Sequence, residues 1–224
     1  MKILETLVNW WQKIIEFGQD LLVPENIKTQ KLLNIPVGMM RNILPQSSTR
    51  VKDVFVLFDY QNKIVQFIIK SIKYKNNANL RKRVAQYLYE EMIDISSEIT
   101  LFEGTQPILV PMPMSKIEKR KRGFNQCEEI AKEIKKLSGE NLEVFCDILK
   151  KIRETERQTN LSRIDRLKNV KNSMIVSDNN FGKIKNRTVV VLDDVYTTGA
   201  SFSEAKRALL SAGARRIMGL FIAH

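Results

Sequence analysis

Short apolar runs alternate with segments of helical periodicity over most of the chain, and this alternation predicts an α/β fold with a mostly parallel sheet flanked by helices. The clearest strand is the four-residue apolar run Val189 to Leu192, which is typical of a strand buried on both faces. We predict further strands at 54–60, 107–110, 174–176 and 216–223. We predict helices at 62–72, 80–95 and 125–136. Gly139 is placed to end the last helix, and residues 144–149 fit either a strand or a helix.

The first 52 residues differ from the rest in their pattern. Apolar residues recur at helical spacing between residues 3 and 22, which predicts an amphipathic helix. Docking of this helix on the body is favoured over membrane association, because Lys2 and Lys13 are its only basic residues. Residues 24–52 contain three prolines and indicate an irregular linker or a small subdomain. We therefore predict two regions, 1–52 and 53–224.

The residues after the Val189 strand carry the most informative chemistry. Asp193 and Asp194 stand at its carboxyl end, where ligands bind in open α/β sheets. Small and hydroxylated residues then predict a tight turn whose backbone N–H groups can surround a phosphate. The predicted phosphate loop consists of Val195, Tyr196, Thr197, Thr198, Gly199, Ala200 and Ser201. Ser203 is placed to cap a helix from Glu204 to Ser211. Adjacent carboxylates suit ribose hydroxyls or a magnesium ion held partly through water, so the parts together suit a ribose that carries a phosphate.

Two basic segments add to this picture. Between Lys116 and Arg122, after a Pro-x-Pro loop, five bases face one acid. Arginine side chains on a rigid turn can bind phosphate in a fork, although a solvated basic turn is the alternative. Residues 150–171 hold eight bases and three acids with few apolar positions, and we call them the hood segment. They suit a mobile loop that closes over an anionic ligand, or equally an exposed helix and loop.

Composition favours one α/β body with anionic partners. The chain has 224 residues, of which 43% are hydrophobic, and 37 lysines and arginines against 25 acidic residues give it a net charge of +12. Such an excess favours phosphorylated metabolites or nucleic acid as partners. Cys127 and Cys146 form no pair motif, and His224 is the only histidine, so a disulfide scaffold and a serine–histidine site are not expected. Without a signal peptide or a long apolar run, we expect a cytoplasmic protein with no membrane span.

The run from Val189 to Ser201 resembles the phosphoribosyl pyrophosphate (PRPP) loop of the type I phosphoribosyltransferases. Three further motifs extend the resemblance to the ComF/GntX family, over roughly residues 54–223. They are Lys73-Tyr74-Lys75; Pro111 and Pro113 followed by Arg122 to Gln126; and Arg153, Thr155, Gln158, Leu161, Arg166, Asn169 and Val170. The chain departs from many members at its start, since residues 1–52 contain no Cys or His that could form a zinc module.

The resemblance implies a role for each motif. Asp193 and Asp194 would hold the ribose hydroxyls of PRPP or a related ribose phosphate, with Mg²⁺ arriving through PRPP and no zinc. Lys116, Arg120 and Arg122 would neutralise the pyrophosphate, and residues 153–169 would form a closing hood. The implied activity is phosphoribosyl transfer in a protein linked to competence and DNA uptake. The alternative is a non-catalytic adaptor that binds single-stranded DNA or competence proteins. The acceptor and the oligomeric state do not follow from the residues.

Overall fold

The computed structural model describes residues 25–153 and 170–224. The chain divides into two compact units, residues 1–36 and 37–224. In the first unit the described residues form helix α1 (Glu25–Leu33). Within the described residues, no helix is long and apolar enough to cross a membrane.

The second unit is an α/β body whose helices and strands alternate. Its strands are β1 (Val54–Phe58), β2 (Ile108–Pro111), β3 (Glu143–Val144), β4 (Leu149–Lys151), β5 (Met174–Val176), β6 (Thr188–Val195) and β7 (Arg216–Ala223). Its helices are α2 (Val37–Ile43), α3 (Lys63–Lys75), α4 (Ala78–Glu103), α5 (Lys116–Arg122), α6 (Gln126–Ser138), α7 (Phe181–Ile184) and α8 (Ala200–Ser211).

A five-stranded parallel sheet forms the centre, with the strand order β1-β7-β6-β2-β3. In the middle of the sheet, Val191 of β6 lies between Val110 of β2 and Gly219 of β7. The apolar run Val189 to Leu192 is fully buried, as expected for a strand covered on both faces. A mostly parallel sheet flanked by helices, the predicted fold class, is confirmed.

A second, two-stranded antiparallel sheet joins β4 to β5. It packs against α8, where the buried Glu204 accepts a hydrogen bond from the Met174 backbone N–H at 3.1 Å. Arg207 pairs with Glu204 at 2.8 Å and donates to the Met174 carbonyl at 2.9 Å. This charged pair holds the backbone of β5 at Met174. It thereby fixes the point at which the segment between β4 and β5 ends.

The structure corrects several predicted boundaries. Residues 116–122 form helix α5 rather than a turn, because Ser115 caps its first turn and Gly123, at φ 86°, ends it. Residues 144–149 are not one element: Val144 ends β3, Leu149 begins β4, and residues 145–148 connect the two strands. Part of the predicted linker 24–52 is helical, as α1 and α2. The helix after the phosphate loop begins at Ala200 and is capped by Gly199, so Ser203 is not its cap.

Candidate functional site

The two aspartates lie at the carboxyl end of β6. This strand is the middle one of the five, between β7 and β2. Pairing with β2 continues one residue past that strand, since the Met112 N–H donates to the Leu192 carbonyl at 2.8 Å. On the other side, the Tyr196 N–H donates to the Ala223 carbonyl at 2.8 Å. Both neighbouring strands thus hold the backbone around Asp193 and Asp194 in a fixed position.

Asp194 is buried, with 7% of its surface exposed, and its carboxylate is bound from two helices. The Lys73 ammonium of α3 lies 3.1 Å from Asp194 Oδ2. The same oxygen accepts a hydrogen bond at 3.0 Å from the Gln126 amide, in the first turn of α6. Its other oxygen, Oδ1, accepts from the Val195 N–H at 2.9 Å. The charge of Asp194 is therefore neutralised inside the protein.

Asp193 is half-buried and differently bound. Its Oδ1 accepts from the Asp194 N–H at 2.9 Å and from the Cys127 thiol at 3.4 Å. Burial, and then the neighbouring charge of Asp194, raises the pKa of Asp193 to about 7. Burial and these two carboxylates also raise the pKa of the Cys127 thiol well above its usual value, so Cys127 is a hydrogen-bond donor here and not a nucleophile.

Lys73 compensates for part of this concentration of negative charge. Burial lowers the pKa of Lys73, but the attraction of Asp194 and Asp193 outweighs burial and leaves the pKa above its ordinary value. The lysine is therefore an ammonium ion at neutral pH, with 28% of its side chain exposed. One cation thus faces two carboxylates, a balance that favours a further positive or hydrogen-donating group on the ligand.

The predicted phosphate loop spans the end of β6, a turn and the start of α8. Gly199 caps α8 in the left-handed conformation, at φ 74°, and has no side chain to accept from the first-turn amides, although the Ala200 N–H donates to Thr198 Oγ1 at 3.4 Å. A Cβ atom on Gly199 would lie 2.6 Å from Tyr196 Oη, so a glycine is required for both reasons. Thr197 is exposed and Thr198 is half-buried, and both hydroxyls belong to the turn. Helix N-termini of this kind bind phosphate through backbone N–H groups.

Helix α5 carries the basic cluster predicted to bind pyrophosphate. Lys116 and Arg120 are exposed and, among the described residues, form no ion pair. Arg122 is placed differently, because its Nη1 donates to Gln126 Oε1 at 2.6 Å and its guanidinium lies 5.7 Å from the centre of the Tyr74 ring. The structure thus connects Arg122 to Asp194 through Gln126 and leaves the other two side chains available to solvent.

Part of the hood segment is described. Lys150 and Lys151 belong to β4, and the Arg153 guanidinium donates to the Lys171 carbonyl at 2.7 Å. Lys151 lies 3.8 Å from Glu118 of α5, which joins the base of the segment to the basic helix. The other predicted hood residues lie outside the described part of the chain: Thr155, Gln158, Arg166 and Asn169.

Three residues of the site carried no predicted role. Lys73 and Gln126 were noted only as parts of motifs, and Cys127 only as a cysteine without a pair motif. Cys127 is buried in the core, and its thiol contacts Asp193. A usable signal existed for Gln126, since a polar residue at the start of a helix that follows a buried strand points to the same edge of the sheet as Asp194. No comparable signal identifies the partner of Lys73.

Comparison with characterised sequences supports the predicted resemblance. The chain is 28% identical over 170 residues to competence protein F of Haemophilus influenzae. This alignment covers 74% of the present chain and 70% of that protein. It is 26% identical to ComFC of Bacillus subtilis and 27% identical to ComFC of Streptococcus pneumoniae, and each match covers 63% of the relative. The chain is thus a relative of the competence protein F and ComFC proteins, and spans about two thirds of their length. No protein-family profile matches it.

Two phosphoribosyltransferases are among the solved structures that align with part of this chain. The hypoxanthine-guanine enzyme of L. donovani aligns with 63% of this chain and 71% of its own, at 12% identity and a TM-score of 0.37. The hypoxanthine enzyme of Trypanosoma cruzi aligns with 63% of this chain and 64% of its own, at 8% identity and a TM-score of 0.40. The parallel sheet and its strand order are observed in the structure of this chain and do not depend on these alignments.

Proposed function

We propose that the protein binds PRPP, or a related ribose phosphate, at the carboxyl edge of β6. The observation that supports this most directly is the adjacency of the Asp193–Asp194 pair to the Gly199 turn at the start of α8. The carboxylates suit the hydroxyls of a ribose, and the turn suits the 5-phosphate of the same sugar. A ligand that carries both groups would use both features at once.

The proposed reaction is transfer of the phosphoribosyl group to a nucleophile, with release of pyrophosphate. The bond from the ribose C1 to the pyrophosphate oxygen breaks, that oxygen keeps the electron pair, and the acceptor forms the new bond to C1. Lys116 and Arg120 would stabilise the departing pyrophosphate, and the carboxylates would fix the ribose on which positive charge develops. Such electrostatic catalysis requires no covalent intermediate on the protein.

Mg²⁺ would enter with PRPP. Carboxylate oxygens are donors that Mg²⁺ prefers, and the excess of negative charge at the Asp193–Asp194 pair fits a cation there, directly or through water. When bound, the ion would neutralise the pyrophosphate charge. The chain's own residues would orient the ribose and the phosphate around it.

Calorimetric titration with PRPP and Mg²⁺ tests the binding proposal, with ribose 5-phosphate as the second ligand. We expect saturable heat for the wild type and none for a Thr197→Asp variant, in which a carboxylate on the exposed turn repels phosphate. Release of pyrophosphate with nucleobases, amines and ammonia as acceptors then tests the transfer step. A folded protein that gives no heat at millimolar PRPP would contradict the proposal.

A second candidate function is binding of single-stranded DNA, with competence proteins as partners. The observation that favours it is the exposed basic face of α5, where Lys116, Arg120 and Lys121 form no ion pair with described residues. Phosphates of a nucleic acid backbone would meet these side chains. The competence proteins among the relatives support this candidate, and we propose DNA uptake as the process in which the chain acts.

A further inference from the structure

A groove with a volume of about 750 Å³ runs along the second half of α4. Its lining residues on α4 recur every three or four positions, so they form one stripe over about three turns of the helix. The stripe includes Tyr89, Ile93, Ser97 and Leu101. Gln106 and Leu142, from the segments that lead into β2 and β3, also line the groove.

The groove and the two aspartates lie at opposite edges of the sheet. Gln106 stands two residues before β2, and Leu142 stands directly before β3. Because the strands are parallel, the starts of β2 and β3 share one edge, and the carboxyl end of β6 lies at the other. A molecule in the groove would therefore leave the candidate ribose phosphate site open.

Large apolar side chains are exposed along this stretch of α4. Leu101 and Phe102 are 80% and 79% exposed, the highest values among the large apolar side chains that the structure describes. Ile93 is 46% exposed, whereas Met92 and Leu142 line the groove as buried residues. Exposed apolar side chains that are grouped in this way, beside a groove, are typical of a surface that another protein covers.

The charge of this stretch is opposite to that of the chain. No lysine or arginine occurs between Arg83 and Lys116, although the chain has 37 of them in 224 residues and a net charge of +12. Glu90, Asp94 and Glu98 are exposed, recur every four residues beside the apolar stripe and form no ion pair with described residues. The groove thus has an acidic border on a basic protein.

This border determines which kind of molecule fits the groove. It repels a DNA backbone or an anionic lipid surface. It also opposes a symmetric dimer, because in a two-fold interface the same surface meets itself and the acidic stripes would face each other. Arg187 does not offset these charges, since it donates to the Gln106 carbonyl and pairs with Glu143, both at 2.7 Å. The surface favours a different protein that carries basic side chains.

We propose that the groove binds an amphipathic helix of a partner protein, with an apolar face bordered by lysines or arginines. A helix presents apolar side chains at the spacing of the stripe on α4, and three turns of groove accommodate the usual anchors at i, i+3 or i+4, and i+7. Its apolar anchors would cover Ile93 and Leu101, and its basic side chains would pair with Glu90, Asp94 and Glu98.

The probe for this proposal is a synthetic peptide of about 18 residues, made of leucine and lysine with the leucines at helical spacing. The control peptide has the same composition in an order without that spacing. Binding to the full chain is measured by fluorescence anisotropy at about 0.05 M and 0.5 M salt. We expect saturable binding of the helical peptide and roughly tenfold weaker binding of the control.

Two matched pairs of variants locate the binding. Leu101→Ser should weaken it roughly tenfold, and Leu210→Ser, which changes an exposed leucine of α8, should not. Asp94→Lys should weaken it about threefold to tenfold at low salt and little at high salt, whereas Asp147→Lys, between β3 and β4, should change it little. All four side chains are exposed, so the melting temperatures should stay within about 2 °C of the wild type.

Three results would overturn the proposal. The first is a wild type that binds neither peptide or binds both alike. The second is an equal effect of the two variants within either pair. The third is a wild-type dimer that Leu101→Ser converts to a monomer in analytical ultracentrifugation, because the occupant of the groove would then be a second copy of the chain.

Discussion

At the residue scale, the charge of Asp193 depends on pH in the physiological range. Its carboxyl is half-buried next to a second carboxylate, and its pKa lies at about 7, far above the ordinary aspartate value of 3.8. A raised pKa means that the folded protein holds the proton more tightly than the unfolded chain does. The contribution of Asp193 to stability is therefore full below about pH 4 and decreases as the pH rises to about 7.

Asp193→Asn should accordingly be more stable than the wild type at high pH. An amide is neutral in both states, so the variant avoids the cost of ionising a buried carboxyl. In urea unfolding, we expect a gain that is small at pH 4.5 and grows to on the order of 2–4 kcal/mol at pH 8. Asp94→Asn, which changes an exposed aspartate of α4, should follow the wild type at both pH values. An Asp193→Asn gain that is the same at pH 4.5 and 8 would show that Asp193 does not titrate between them.

The Gly199 turn permits a second test at this scale. Gly199→Ala forces a side chain into a left-handed backbone and against Tyr196 Oη, whereas Gly104→Ala, at φ 68°, meets no atom within 4 Å. We expect Gly104→Ala to lose about 1 kcal/mol of unfolding free energy and Gly199→Ala to lose about 1–2 kcal/mol more. Only Gly199→Ala should also weaken PRPP binding.

Urea unfolding and calorimetry of the two glycine variants decide the point. Adding Tyr196→Phe to Gly199→Ala removes the contacting hydroxyl and should recover part of the extra loss. If both single variants lose the same free energy and bind PRPP alike, the turn tolerates a side chain, and the close approach of Tyr196 has no consequence for the site.

At the scale of elements, the site depends on where α6 begins. The Asn125 side chain accepts from the Cys127 N–H at 3.0 Å and donates to the Met112 carbonyl at 2.9 Å, so one residue caps the helix and ties it to the end of β2. Gln126 and Cys127, the next two residues, are those that contact the aspartates. The position of the helix start therefore sets the distances to both carboxylates.

Asn125→Ala and Asn77→Ala form a matched pair of cap variants. Asn77 caps α4 by accepting from the Leu80 N–H at 3.1 Å. We expect Asn77→Ala to lose about 1 kcal/mol, and Asn125→Ala to lose about 2–3 kcal/mol because it also leaves a buried carbonyl without its donor. Asn125→Ala should also bind PRPP more weakly, and Asn77→Ala should not. Equal effects of the two variants on binding would show that the start of α6 does not control the site.

How far the sequence predicts these elements depends on the origin of each one. The last strand, 216–223, was predicted with its true bounds because seven of its eight residues are buried and it follows the turn around Gly213. Helix α5 has a single apolar residue, Ile117, so periodicity gave no indication of it. Its formation depends on the Ser115 cap and on contacts such as the Lys119–Glu128 ion pair at 2.7 Å, which join it to α6. Propensity and apolar pattern do not contain that information.

The same limit applies to the site. The Asp193–Asp194 pair and the turn after it were predicted because strand, acids and turn are consecutive in the chain. The contact between Lys73 and Asp194 joins residues far apart in sequence, and only the packing of α3 beside the sheet creates it. Arg122 is predicted to neutralise pyrophosphate, and its additional hydrogen bond to Gln126 is a contact that the sequence did not indicate. Local chemistry was thus predictable, whereas the side chains that neutralise it were not.

At the scale of the whole molecule, the net charge of +12 concerns anionic polymers as well as metabolites. Arg120 and Lys121 on α5 belong to the carboxyl edge of the sheet, where α5 follows β2. Lys135 near the end of α6 and Lys185 before β6 are exposed near the opposite edge. These two pairs carry the same charge, so reversing each of them separates a local binding face from a general effect of net charge.

If single-stranded DNA binds at α5, Arg120→Glu with Lys121→Glu should weaken binding of all sequences alike, and Lys135→Glu with Lys185→Glu should change it little. Arg122 is left unchanged in this test because its bond to Gln126 reaches the aspartates. For the wild type, the logarithm of the affinity should fall with the logarithm of the salt concentration, with a slope of about −0.7 for each phosphate contact. The double variant at α5 should lose about one to two phosphate contacts, so its salt slope should be shallower by the corresponding amount.

PRPP should compete with DNA, since both would use Lys116 and Arg120. Gel-shift series across salt, with and without PRPP, measure all of these quantities. Equal weakening by both double variants would mean that only net charge matters, and salt-independent binding would move DNA recognition from this chain to a partner protein.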